Sequence, residues 1–271
     1  MRLGIQAGRR DHRPMIHPLH FLDVNCLVGP YYNPGPGQDW SLQALLAKMD
    51  QLGIAGACPA ATLGRDYDPL DANEWLAANV PPSDRIHPVW TAATHHSGEF
   101  PRPAELLVQM REHGARMSRL FLTPAGFLGR LDLPLLGELF DALDDRRVPL
   151  LIDAADPLQL HAADLELVLR RWPGMPVILS VPKVVQNDRW FYYLWERYES
   201  LYVDLPGYQA LSGIADVCRR FGPRRLVYGS RYPYFTPLQT MLQLIYSEVD
   251  EAAKQAIAGG TVRGLLEEAR L

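Results

Sequence analysis

The 271-residue chain has only three cysteines, Cys26, Cys58 and Cys218, far apart and with no Cys-x-x-Cys spacing. That scarcity excludes a disulfide framework or a zinc ribbon and predicts reduced thiols in a cytoplasmic protein. Long apolar runs are missing too: no stretch of about 18 apolar residues is present, so no helical membrane span is expected. Met1 to Pro18 carries four arginines and two histidines but no apolar core, so a secretory signal is not expected there. Charge of one sign is not in excess. With 27 basic and 31 acidic residues the net charge is −4, which argues against nucleic acid or an anionic membrane as a partner. No Gly-x-Gly-x-x-Gly follows the first apolar run, which removes the dinucleotide fingerprint. Internal repeats, low-complexity tracts and linkers are absent as well.

What is there fits one large globular domain. Hydrophobic residues make up 48% and charged residues 21%, enough to bury a sizeable core without staples. The 23 prolines cluster between apolar runs, as in loops that close many short elements. Strands are predicted at Phe21–Val28, Ile54–Cys58, Ile86–Ala92, Met117–Leu122, Val148–Ile152, Pro176–Val181, Leu201–Leu205 and Arg225–Tyr228. Helical patterns lie between them, near 41–52, 70–79, 102–114, 134–146, 158–172, 187–199, 208–221 and 236–247, with a last one at 250–269. Leu42, Leu45, Leu46, Met49 and Leu52 recur at helical spacing and form a core-facing stripe. Eight strands each followed by a helix predict the α/β class and a single (β/α)8 TIM barrel over 21–271, preceded by an extension over 1–20. A doubly wound open sheet is the runner-up.

In such a barrel the chemistry sits at the C-terminal strand ends. Residues two apart on a strand face the same way, so Asn25 and Leu27 share a face and point into the barrel mouth. The fifth strand ends at Asp153, the sixth at Val181, and the eighth leads into Gly229-Ser230-Arg231-Tyr232-Pro233.

Read in order, Phe21-Leu22-Asp23-Val24-Asn25-Cys26-Leu27-Val28-Gly29, Arg147 to Asp153, Val177 to Val181, Gly229 to Pro233 and Gly259 to Leu266 carry a family likeness. Over about Phe21 to Leu266 the chain resembles the amidohydrolase-related family of metal-dependent hydrolases and decarboxylases. The resemblance implies an amidohydrolase-like barrel with an Asp-x-His-x-His first strand, histidine ligands ending strands five and six, and an aspartate after strand eight. Here those five ligand positions hold Asn25, Leu27, Asp153, Val181 and Arg231. Leu27 and Val181 have no donor atom, and a guanidinium neither ligates a cation nor acts as a base near neutral pH. No metal and no cofactor are therefore expected at this site. An Asp153–Arg231 ion pair is expected instead, with the guanidinium where the metal charge would be.

Other residues on the loop face complete the candidate set. His95 and His96 follow the third strand; as neighbours in an extended segment they are expected to point apart, with one facing the cavity. Lys183 follows the sixth strand and suits an anionic substrate, or is simply solvated. If Arg119 faces inward on the fourth strand, it joins Arg231 in a basic floor suited to carboxylates. His12, His17 and His20 read as surface or lid residues, and His87, His113 and His161 as structural or solvent-facing. Pro30 to Gly37 is either a lid or a rigid turn cluster. The aromatic helix near 190–198 spreads its rings around its circumference, which points to a homo-oligomer contact or a covered pocket.

Three functions remain open. The first is a barrel without hydrolase chemistry that binds a small anionic molecule, as a ligand-binding or accessory protein. Asn25, His95, Lys183 and Arg231 would make its substrate-binding set. The second is a metal-independent hydrolase or lyase acting on a small carboxylate or lactone, with Asp153 as the catalytic base or acid. The resemblance allows metal-independent lactone hydrolysis, but that chemistry leans on the strand-eight aspartate and on histidines lacking here. The third is a metal enzyme with relocated ligands, His95 or His96 with Asp153 and Asp156.

Overall fold

The alternation of short apolar runs with amphipathic segments becomes a succession of parallel strands and helices in a computed structural model of the chain. The structure describes residues 18–123, 131, 133–154, 160–180 and 189–271. The first half runs β1 (Leu22–Val28), α1 (Leu42–Leu52), β2 (Gly56–Ala61), α2 (Leu63–Asp66), α3 (Pro69–Asn79), β3 (Val89–Thr91), α4 (Pro103–Glu112), β4 (Met117–Leu122) and α5 (Leu133–Asp145). The second half runs β5 (Leu150–Ala154), α6 (Ala162–Arg171), β6 (Val177–Ser180), α7 (Arg189–Trp195), β7 (Leu201–Asp204), α8 (Gly213–Phe221), β8 (Leu226–Val227), α9 (Pro237–Ile245), α10 (Glu251–Gln255) and α11 (Thr261–Glu268).

Strands β3 to β8 form one parallel sheet in sequence order, and β1 pairs with β2. Backbone hydrogen bonds join the two pieces on both sides. Ala57 N donates to Arg85 O (2.8 Å) and His87 N to Ala57 O (2.9 Å), which ties β2 to the segment entering β3. Val24 N donates to Tyr228 O (3.1 Å) and Arg231 N to Asn25 O (2.7 Å), which ties β1 to the residues that follow β8. The result is the (β/α)8 TIM barrel that the sequence predicts.

Two apolar clusters follow from the strands' period of two. Leu22, Cys58, Val89, Met117, Leu151, Ile178 and Val227 fill the barrel interior. The alternate residues, such as Leu120, Ile152 and Leu179, pack against the surrounding helices, and on β1 an irregularity between Asp23 and Cys26 shifts the alternation. Helix boundaries have local causes. Ser41 caps α1 by accepting from Ala44 N (3.1 Å), and Gly53 ends it in the left-handed region at φ 70°. The stripe Leu45, Met49 and Leu52 is buried as expected.

The last predicted helix is divided. A π turn over Ala256–Gly260 separates α10 from α11. A Cβ on Gly259 would lie 2.7 Å from His20 O and 3.0 Å from Leu22 Cβ, so the glycine lets the helix approach the start of β1. In α7, Phe191, Leu194 and Trp195 are buried in the chain's own core. Tyr192 donates to Asp216 Oδ2 (3.0 Å), while Tyr193, 43% exposed, donates to Glu166 Oε1 (2.8 Å). These contacts within the chain account for aromatics on several sides of the helix.

Candidate functional site at the barrel mouth

Among the described residues, the strand ends converge on a buried polar network. Its base is Asp23, on β1 and 1% exposed. Asp23 Oδ1 accepts from Asn25 N (3.1 Å) and Ser230 N (2.9 Å), and Oδ2 accepts from Ser230 Oγ. The carboxylate thus fastens β1 to the turn after β8. Burial pushes it up to about 7, against the opposing pull of the Ser230 hydroxyl and of both amides.

Above it, Asn25 is saturated. Its Nδ2 donates to Ser180 Oγ (2.8 Å) and Asp204 Oδ2 (2.6 Å), and its Oδ1 accepts from Arg119 Nη2 (2.9 Å). Ser180 Oγ donates to Asp204 Oδ2 (2.8 Å) and accepts from Arg231 Nε (3.1 Å) and Nη2 (2.7 Å). Asp204 is fully buried, and burial pushes its carboxyl up despite Arg231, Asn25 and Ser180. Gly229 makes room for this cluster: a Cβ there would sit 2.9 Å from Asn25 Cβ and 3.3 Å from Asp204 Oδ2.

Arg119 is inward and only 2% exposed, lying under the aromatic face of Phe121 at 4.6 Å. Its Nη2 donates to Asp153 Oδ2. Asp153 Oδ1 lies 3.8 Å from Arg231 Nη2, so the ion pair expected from the sequence is the longer of two. Burial raises the Asp153 carboxyl, but Arg119 and Arg231 beside it outweigh that effect and hold it below the usual carboxylate range. Arg231 itself sits in the left-handed region at φ 55°, unusual for a residue with a Cβ. Among the described residues, Arg119 Nε and Asp204 Oδ1 are buried with no hydrogen-bond partner.

A cavity of about 230 Å³ opens above the network, lined by Asn25, Leu27, Arg65, Arg119, Asp153 and Arg231 with Tyr234 and Phe235. Arg65, from α2, reaches it through Tyr234: Nη1 donates to the Tyr234 hydroxyl, and the guanidinium lies 4.9 Å from that ring's centre. Asp66 stands 4.0 Å behind Arg65, and burial pushes its carboxyl up. The Pro30–Gly37 loop is pinned beside this wall, with Tyr31 stacked on Trp40 (4.1 Å) and edge-on to Tyr234 (5.9 Å).

The structure therefore brings together Asn25, Asp153 and Arg231 of the sequence candidates, with Leu27 in the wall. It does not bring His95 to this cavity, and it corrects the expectation that His95 and His96 point apart. Their rings lie 4.3 Å from each other, because the chain leaves the extended conformation after β3, and His95 Nε2 lies 3.3 Å from Glu138 Oε2 on α5. Lys183, Val181 and Asp156 lie outside the described residues, as do His12 and His17. His113 stacks on Trp90 at 5.2 Å, a packing role.

Several members of the site were not singled out from the sequence, Asp23 and Phe235 among them. Ser180, one residue before the expected position on the sixth strand, is the inward one there. Asp204 was visible in principle, since Tyr202 and Asp204 alternate on β7 and Asp204 ends the strand. Arg65 and Tyr234 carried no signal, because only the fold places α2 beside the turn after β8.

Residues 25–266 match the family model described as amidohydrolase. Solved structures share the fold at low identity. An uncharacterized TIM-barrel protein from Bordetella bronchiseptica is 18% identical over 92% of this chain and 99% of that one, with a TM-score of 0.68. The 5-carboxyvanillate decarboxylase of Sphingomonas paucimobilis is 13% identical over 92% and 99%, with a TM-score of 0.69. The corresponding enzyme of Novosphingobium aromaticivorans, solved with manganese and 4-hydroxy-3-methoxy-5-nitrobenzoic acid, is 16% identical over 92% and 96%, at 0.69. No curated protein sequence matches the chain.

Proposed function

The chain belongs to the amidohydrolase family, and from that premise we propose that its barrel mouth binds a small organic carboxylate with guanidinium groups in place of a metal. The observation that carries this reading is the cavity's lining: three arginines, Arg65, Arg119 and Arg231, against the single carboxylate of Asp153. A carboxylate ligand satisfies paired guanidinium donors that have too few acceptors of their own. Leu27, Tyr234 and Phe235 supply the apolar surface that an aromatic or short aliphatic body needs.

The residues at the strand ends fit a divalent cation poorly. Leu27 offers no donor atom, both amide atoms of Asn25 are engaged, and the Asp153 oxygens face Arg119 and Arg231. A guanidinium at this distance repels a cation that would share Asp153. The metal-dependent hydrolase and decarboxylase chemistry of the fold is therefore not assigned to this chain. The lowered Asp153 carboxyl supports an ion-pair role over that of a proton donor near neutral pH.

The test is the thermal stability of the full chain titrated with benzoate and with benzamide, its neutral counterpart. Benzoate is expected to raise the melting temperature in a saturable way, with benzamide inert and Arg231→Leu abolishing the response. Equal effects of the two compounds, or none from benzoate at millimolar concentration, would overturn the reading.

A further inference from the structure

We infer that His95, His96 and Glu138 form a zinc site on the C-terminal face of the barrel, separate from the strand-end positions. Among the described residues these three are the one set whose ligating atoms all lie within 4.8 Å of one another. The site is built by two elements: the segment that leaves β3 turns so that consecutive imidazoles come together, and α5 presents Glu138 to them. None of the three lines the cavity at the mouth.

The geometry favours a cation over a simple hydrogen bond. In a tetrahedral zinc site, bonds of about 2.0–2.1 Å put neighbouring ligand atoms about 3.3–3.4 Å apart. His95 Nε2 and Glu138 Oε2 are 3.3 Å apart. A hydrogen bond would account for that pair alone. It would leave unexplained why the His96 ring also approaches, at 4.3 Å and 31° from the His95 ring. His95 is held at 9% exposure, whereas His96 and Glu138 are exposed, Glu138 at 64%.

Donor chemistry selects the metal. Two imidazoles and one carboxylate suit zinc and its transition-metal neighbours, whereas calcium and magnesium take oxygen ligands. Three protein ligands leave a fourth position for water, so the site is open.

The experiment uses the full chain, purified without a histidine tag, stripped with a chelator, and titrated with zinc alone against a chromophoric competitor. One equivalent is expected to bind, and His95→Ala, His96→Ala and Glu138→Ala should each weaken it about tenfold or more. Zinc binding that survives both His95→Ala and Glu138→Ala would place the metal elsewhere and overturn the proposal, as would the absence of uptake by the wild-type chain. Glu138 is mostly exposed, so its variant separates ligation from folding. The benzoate response tests a different set of residues, and its outcome leaves this one unaffected.

Discussion

Arg119 and Asp153 hold each other across the β4–β5 pair, with the arginine two residues deeper in the barrel. Arg119 is level with Leu151 in the register, and Asp153 is level with Phe121. The guanidinium therefore reaches up from the floor to the carboxylate at the rim, and its other contact ties Asn25 into the same unit. With Arg119 almost wholly buried, the carboxylate's first task is to compensate that charge.

Removing it should be costly. Asp153→Ala leaves Arg119 charged and buried without its counter-ion, so a loss of about 3–5 kcal/mol is expected in urea denaturation at pH 7. An unchanged midpoint would show that the pair contributes nothing. The pH dependence has a definite sign. Because the folded carboxyl lies below its ordinary value, its contribution is present above about pH 4 and is lost as pH falls through the folded value. Asp153→Asn should flatten that acid limb.

Asp23 predicts the opposite slope. Its carboxyl is raised from 3.8 to about 7, so between those values the folded chain holds a proton that the unfolded chain releases. Stability then falls as pH rises across that window and levels off above it, by up to about 1.4 kcal/mol per pH unit. Measured from pH 4.5 to 7.5, the stability of Asp23→Asn relative to wild type should climb with pH. A difference independent of pH would mean that Asp23 is ionised throughout.

Arg231 pays for its position with a left-handed backbone. Comparing two truncations isolates that cost from the loss of charge, since both remove the guanidinium. Arg231→Gly should be more stable than Arg231→Ala by about 1 kcal/mol, because only glycine adopts this conformation without a Cβ penalty. Equal midpoints would argue that the turn relaxes when the side chain goes.

Gly229 should tolerate no side chain. Gly229→Ala forces a methyl against Asn25 Cβ and the Asp204 carboxylate, neither of which has room to retreat. A loss of about 1–3 kcal/mol is expected, together with a weaker benzoate response, since the Asn25–Ser180–Arg231 chain must shift. A variant with wild-type stability and response would show that the network is softer than its contacts suggest.

Much of the scaffold is legible in the sequence. Met117–Leu122 is a strand with the predicted boundaries, because an alternating buried segment has one way to place its two faces. The second strand slides from Ile54–Cys58 to Gly56–Ala61, since pairing with β1 and not local composition fixes its register. The single predicted C-terminal helix is divided by a π turn at its two glycines, where it meets the start of β1. His95 and His96 lie ring to ring because the chain turns at His95–Gly98, where an extended segment would send neighbouring side chains apart.

The sequence by itself determined the order of strands and helices and which residue types stand at the strand ends, Asn25, Leu27, Asp153 and Arg231 among them, since both depend on local pattern and residue identity. Only the tertiary structure decided which partners those residues keep. Asn25 and Asp204 are 179 positions apart, and Arg119 is 34 positions from Asp153. Closing the barrel brings their strand ends to one mouth, and burial there pairs most of their polar atoms with distant residues that no local pattern specifies.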